Sequence, residues 1–433
     1  MNPKSIVVVT LLVSSIGVIC SADDWPQWRG IDRAGKWNES GVISEFTSDD
    51  LKPVWRESIG TGYSSPTVVD DALLLMDYDE RKQEETIRCL NSKTGKLNWK
   101  HTYSAPYTIS YTAGPRSSVT VDNGLAYALG AMGRLHCIDV ISGKIKWEKD
   151  LNKEYKIAEL KRMPIWGIAC SPLVFKDVLI IQIGAKDASV IGLDRNSGKE
   201  VWKALDDRAH YSSPVLVKQN EKDVVVCWTG DNVVGLDPVQ GNIYWKHSFK
   251  PTRMPIGVAT PIIKDDRIFM TSFYDGSMML EMSKSEMTAK QLWHHAGENE
   301  RSTKAIHSII STPIWIDDHI YGVDSYGELR CISAADGSRV WEDLTAVKKA
   351  RWGTIHFVSH GKDVWMFNEQ GELMIGSLSP TGLDVKSRAS VLQANQMRRP
   401  NRRNGVCWSH PAFANKCVYL RNDKELICIS LAE

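Results

Sequence analysis

Three groups of residues in this chain are of types that could do chemistry. Gly143-Lys144 follows the strand-like run Ile138–Val140, where a phosphate-binding loop would place a glycine and a lysine. Such a loop needs G-x-x-x-x-G-K-[ST], so that backbone amides cradle the phosphates, the lysine reaches them and a hydroxyl holds magnesium. Ile145 stands where the hydroxyl should be, and no glycine lies five positions before Gly143. The second group is the carboxylate pairs Asp70-Asp71, Asp265-Asp266 and Asp317-Asp318, which could offer oxygens to a hard cation. The third is a set of aromatic, imidazole and guanidinium side chains: Tyr63, Arg116, Trp166, Tyr211, His307, Trp352, His356, Trp408 and His410, with His210 beside them. Brought together, these could grip a planar ligand or a peptide. The chain has no H-E-x-x-H, C-x-x-C or G-x-S-x-G, so zinc-protease and nucleophile-elbow chemistry find no support. No metal site is expected, and His294-His295 reads as a solvated pair in an irregular insertion.

The elements that must position these groups are visible as repeats. The Gly143 phrase recurs as CLNSKTGKLNW (89–99), CIDVISGKIKW (137–147), GLDRNSGKEVW (192–202), GLDPVQGNIYW (235–245) and CISAADGSRVW (331–341). A chain does not carry five phosphate loops. In the repeat frame the Asp bonds the turn amides, the Gly takes a positive φ and the Lys points into water. Each unit opens near a Ser/Thr-Pro step, as in SSPTVV (64–69), SSPVLV (212–217) and TPIWI (312–316), and the acidic pairs follow that step as first-hairpin turn residues. Tryptophans end the units at 55, 99, 147, 202, 245, 293 and 341, and one further interval reaches Val385 in a degenerate copy. Four short strands per unit of ~40–50 residues are the mark of a β-propeller. The count predicts an all-β, eight-bladed propeller over residues 53–433. Because the chain ends at ELICISLAE without a tryptophan strand, Pro53 to Arg56 are expected to complete the last blade and close the ring, removing the exposed edges of an open array.

Bulk properties narrow the function. With 53 basic and 52 acidic residues in 433 the net charge is +1, so no overall field draws nucleic acid or an anionic membrane. Lys4, an apolar run from Ile6 to Ile19 and Cys20-Ser21-Ala22 read as a secretory signal peptide over 1–22, with lipidation of Cys20 disfavoured by the bulky Ile19 before it. Export to the periplasm or beyond is expected, without a membrane span. Residues 23–52 form an N-terminal extension. Of the cysteines, Cys89, Cys137, Cys331 and Cys428 share one slot with Gly192, Gly235 and Gly376, which reads as a tight packing position occupied by buried thiols. Pairing among Cys170, Cys227, Cys407 and Cys417 stays open. MRRPNRRN (397–404) reads as a solvated insertion.

The repeated Gly-Lys turn and terminal tryptophan resemble the repeats of pyrroloquinoline quinone (PQQ)-type propellers, shared by quinoprotein alcohol dehydrogenases and the outer-membrane assembly protein BamB. DWPQWRG (24–30), AGPRSSVTV (113–121), LDDRAHYSSPVLV (205–217) and SHPAFANKCVYLRNDKEL (409–426) resemble exported bacterial members of this group. For a dehydrogenase the resemblance implies a quinone over the axis, calcium held by carboxylates and an Asn, a catalytic Asp, a tryptophan floor and a disulfide between adjacent cysteines. This chain has no adjacent cysteines. The expectation is a non-catalytic propeller with no resident cofactor, binding a protein or small ligand at a funnel formed by the third group of residues. A quinone- and calcium-dependent dehydrogenase and a BamB-like assembly scaffold remain the alternatives.

Overall fold

The computed structural model describes residues 23–49, 51–397 and 405–433; the segment 1–22 expected to be a signal peptide and the arginines of MRRPNRRN lie outside them. The described residues form eight four-stranded antiparallel sheets, with one short helix, Leu151–Glu154, and a two-stranded sheet that pairs Gln396–Met397 with Gly405–Val406. Seven blades use four consecutive strands, as in the first: Thr67–Val69, Ala72–Asp79, Glu84–Asn91 and Leu97–Ser104. The eighth takes three strands from the C-terminus (Ala412–Ala414, Cys417–Arg421 and Glu425–Ser430), and its outer strand, Trp55–Ser58, comes from the N-terminal side. Trp55 lies opposite Cys428, so the ring closes as expected.

Burial follows sequence within each blade. Val178–Ala185, a second strand, is buried along its whole length, whereas Leu97–Ser104, a fourth strand, is exposed or half-buried throughout. Second strands are covered on both faces and therefore read as continuous apolar runs. In the fourth strands a single residue per blade does most of the docking. Trp55, Trp99, Trp147, Trp202, Trp293 and Trp341 each donate Nε1–H to a backbone carbonyl of the next blade, on Ser92, Val140, Arg195, Pro238, Ala334 and Ser379, at 2.7–3.3 Å. The indoles of Trp99 and Trp147 lie against the turn glycines of the following blades: a Cβ on Gly143 would sit 2.6 Å from Trp99, and one on Gly198 2.8 Å from Trp147.

The Gly-or-Cys slot lies directly across the sheet from the tryptophan. Cys89 pairs with Trp99, Cys137 with Trp147, Gly192 with Trp202 and Gly235 with Trp245, each followed by a register shift. A Cβ at Gly192 or Gly235 would already lie 2.3 Å from the opposing indole, so the slot admits only a side chain that can tuck away. Cys89, Cys137, Cys331 and Cys428 are buried there as free thiols; Cys170, Cys227, Cys407 and Cys417 are also unpaired.

Two blade contacts depart from the rule, and each has a substitute. The fifth blade has the longer turn Ser283–Thr288 in place of Asp-x-x-x-Gly. Trp245 accordingly donates to Gln219 Oε1 at 2.9 Å, and the Gln219 amide relays the contact to the carbonyls of Ser283, Glu286 and Thr288. The seventh blade has Val385 where the tryptophan would be, opposite Gly376. There the N-terminal extension fills the joint: Phe46 N–H donates to Ser387 Oγ, Trp37 packs on His360, Trp365 and Phe413, and Glu39 accepts from His360 on one blade and Lys416 on the other.

The turn chemistry matches the sequence reading. Ser142 N and Oγ both donate to Asp139 Oδ1, Gly143 has φ 69°, and Lys144 is exposed. Asp70, Asp265 and Asp317 stand at φ 50°, 53° and 47° in their first hairpins, as turn residues. His294-His295 needs correction. Both belong to the regular strand Ala289–His295; His294 donates to Asp275 O, while His295 donates to Asp336 O and stacks beside Trp293, strengthening the dock onto the sixth blade. Trp147→Ala is expected to cost ~3 kcal/mol or more of stability, whereas Lys144→Ala should stay within about 0.5 kcal/mol of wild type, both read from urea denaturation.

Candidate functional site

The Ser/Thr-Pro steps start the inner strands, and their hydroxyls tie those strands into a ring. Ser118 N–H donates to Ser171 Oγ, Ser171 N–H to Ser213 Oγ and Thr260 N–H to Thr312 Oγ1, each bond passing from one blade to the next. Side chains just before these steps are consequently turned toward the axis. Tyr63, Arg116, Trp166, Tyr211, Trp352, His356, Trp408 and His410 line one cavity of about 130 Å³ on the axis, together with Trp28, Tyr111, Ala169, Ser171, Ser213, Val258, Ile309 and Ile310.

Of the funnel residues read from the sequence, His307 does not line the cavity. Its Nδ1 donates to Phe273 O and its Nε2 accepts from Gly297 N–H, so the imidazole is used up within the fifth-to-sixth blade connection. His210 is also buried away from the cavity, 4.8 Å from the Trp228 ring. The sequence reading missed Trp28 and Tyr111. Trp28 belongs to a segment that crosses one end of the channel. Trp25 pairs with Val68 in the first blade, Val121 N–H donates to Pro26 O in the second, and Trp28 Nε1–H donates to Thr260 Oγ1 in the fifth. Arg33 donates to the carbonyls of Ser171, Pro172 and Pro214, and Trp37 N–H to Ser359 O in the seventh. The channel is thus floored, and the two tryptophans of DWPQWRG outside the repeat register were the signal available for it.

The walls are aromatic. Tyr111 lies 5.8, 5.4 and 6.4 Å from the Trp166, Trp352 and Trp408 rings, and Trp166 lies 5.1 Å from Tyr211. Tyr111 and Trp352 both hold φ 68°, a left-handed conformation rare for bulky residues and costly unless the surroundings enforce it. Arg116 is half-buried at this wall, over the Tyr63 ring at 4.9 Å; its hydrogen bonds go to two neutral acceptors, Gly114 O at 2.9 Å and Thr112 O at 3.3 Å. Burial pulls its pKa below the ordinary arginine value, opposed by nearby Tyr63, and burial pushes Tyr63 up to about 12. His356 Nε2 donates to Trp408 O and His410 Nδ1 to Pro411 O, which leaves His356 Nδ1, His410 Nε2 and Trp166 Nε1 without protein partners. Desolvation holds both histidines neutral, His356 down to about 4.

A quinone with calcium is a poor match for this donor set. Calcium takes six to eight oxygens, several of them carboxylate, and no Asp, Glu or Asn is among the described lining residues. The nearby acids are engaged elsewhere: Asp423 accepts from Thr112 Oγ1 and Gly62 N–H, and Glu369 from Trp408 Nε1–H.

Comparison with known proteins places the chain. The family described as outer membrane protein assembly factor BamB matches residues 83–343, and the chain belongs to this PQQ-like propeller family. The quinoprotein ethanol dehydrogenase of Pseudomonas aeruginosa is 29% identical over 154 residues, 31% of this chain and 23% of that protein. The chain matches the curated relatives over 22–34% of their own length. Among solved structures, BamB from Moraxella catarrhalis aligns with TM-score 0.58 at 16% identity, covering 88% of this chain and 97% of that one. Quinohemoprotein alcohol dehydrogenase from Comamonas testosteroni aligns with TM-score 0.61 at 12% identity over 94% and 80% of the two chains. At these identities the structural likeness defines the fold.

The buried histidines make stability pH-dependent. His210 and His356 are held neutral by burial down to about 3 and about 4, whereas the unfolded chain protonates near 6.5. Their contribution is complete above that value and is lost as pH falls toward the folded values. Urea denaturation should show a loss on the order of 2 kcal/mol per histidine between pH 7 and 5, reduced in His356→Gln; a flat profile would contradict the assignment.

Proposed function

We propose that this propeller is a non-catalytic binding protein whose floored channel takes a flat, mostly apolar ligand carrying an anionic group. The observation that carries this reading is Arg116. A guanidinium facing an aromatic cavity, hydrogen-bonded only to carbonyls of Gly114 and Thr112, is paired best by a carboxylate or similar anion. Trp166, Trp352 and Trp408 would flank the planar part, and the unpartnered nitrogens of His356 and His410 would accept from its polar edge. Tyr111 stands among three of these rings, so ligand entry requires it to move.

A second reading, a scaffold for envelope protein assembly, is favoured by family membership and by Ile165, 55% exposed beside Trp166. There the occupant would be an acidic or aromatic side chain of a partner protein, and the same residues would hold it. Export fits both readings and is supported by the Ile6–Ile19 run and the family; no helix among the described residues is long and apolar enough to cross a membrane. The lining gives no support to a calcium-quinone dehydrogenase, so reconstitution with the quinone and calcium is expected to leave alcohol-dependent dye reduction at background.

The test of the proposal uses tryptophan fluorescence with naphthalene-2-carboxylate and its neutral amide. Saturable quenching by the carboxylate, weakened at least tenfold by Arg116→Ala with the amide little affected, is the expected result. No saturable quenching by either probe, or an Arg116→Ala protein indistinguishable from wild type, would refute it.

A further inference from the structure

Away from the channel, at the seam between the first two blades, three ligand-type side chains converge. His101 comes from the outer strand Leu97–Ser104 of the first blade; His136 and Glu148 come from Arg134–Asp139 and Ile145–Asp150 of the second. His136 and Glu148 are directly opposed across the sheet, and the His101 and His136 rings are 5.0 Å apart. One ligand atom from each of the three falls within 4.8 Å of the other two. His136 is 1% exposed, yet neither ring nitrogen has a hydrogen-bond partner, and His101 Nε2 is likewise buried and unpartnered. Glu148 Oε2 stands 3.4 Å from His136 Nε2 without the alignment of a hydrogen bond.

This arrangement is expensive as a purely structural one. A buried imidazole with no partner forfeits the hydrogen bonds water would give it. Two neutral imidazoles and a carboxylate, however, are a recurring donor set for divalent transition ions, and one that leaves coordination positions open to water. Tetrahedral coordination with bonds of ~2.0–2.1 Å needs ligand atoms about 3.3 Å apart, so the present spacing requires only side-chain rotation. Tyr103 packs on both imidazoles, with its hydroxyl donated to Glu85 and not toward the cluster. Arg134 is the opposing charge; it is paired with Asp150 at 3.8 Å. No sequence motif announces the group, because its members lie 35 and 12 residues apart in two repeat units.

We propose that His101, His136 and Glu148 form a binding site for a divalent transition-metal ion of the zinc class, bridging the first and second blades. With one carboxylate against two neutral imidazoles, the site carries a single negative charge and selects borderline ions over calcium or magnesium, which demand several oxygens. Glu148 is exposed, so the ion has a path in from solvent. Such an ion would clamp the two blades beside the Trp99 dock.

The experiment is calorimetric titration of the EDTA-treated, dialysed full protein with ZnCl2, alongside thermal melts. One saturable equivalent of zinc, a raised melting temperature and no response to magnesium or calcium are expected. His101→Ala and Glu148→Gln should each weaken binding at least tenfold, while His247→Asn, elsewhere on the surface, should leave it unchanged. Glu148 is exposed and His101 half-buried, so at least the Glu148 variant tests the site without threatening the fold. Absence of saturable binding, or equal binding by wild type and both site variants, would overturn the proposal.

Discussion

An indole that must be hidden against the next blade is the constraint from which the rest of this architecture follows. A four-stranded sheet cannot bury the apolar edge of its outer strand alone. Its tryptophan reaches across the seam, donates to a turn carbonyl and covers a glycine that has no Cβ to obstruct it. The same indole presses on its own sheet, which explains why the opposite position accepts only glycine or cysteine in most blades. One contact thus sets two positions in each repeat and the composition of the hairpin turn. Where a repeat loses part of this apparatus, the contact is rebuilt by other means, through Gln219 after the fourth blade and through Trp37, Glu39 and Phe46 after the seventh.

Ring closure then creates the site. Eight inner strands, several of them tied to the next by Ser and Thr hydroxyls, leave an axial channel, and most of the aromatic residues preceding those strands point inward. The N-terminal segment that patches the weak seventh joint also crosses the channel through Trp25, Trp28 and Arg33, turning a pore into a pocket with one open end. Inside it, exclusion of water keeps His356 and His410 neutral and leaves Arg116 hydrogen-bonded to two carbonyls, with Asp423 acting on it through space. The electrostatics of the site therefore follow from its closure by a segment outside the repeats.

The repeats made the fold legible, and the parts that were not repeated stayed hidden. Blade number, the closing role of Trp55 and the turn chemistry at Asp139-Gly143 could all be read because several copies cross-checked each other. Eight of the ten funnel residues read from the sequence, all but His210 and His307, do line one cavity, since their register against the Ser/Thr-Pro step fixes direction. His307 shares that register but is drawn back by Phe273 O and Gly297 N–H, a tertiary competition no pattern reveals. Trp28 and Tyr111 escaped because each occurs once, and His101, His136 and Glu148 because their proximity is created by blade stacking alone.

The central claim is that the floored channel holds a planar anion by the Arg116 guanidinium between aromatic walls. A crystal structure of the protein soaked with naphthalene-2-carboxylate tests it most directly. Density is expected on the axis with the carboxylate on Arg116 and the rings between Trp166 and Trp408, with Tyr111 displaced. Density confined to the outer surface, with Arg116 still bonded only to Gly114 and Thr112, would contradict it.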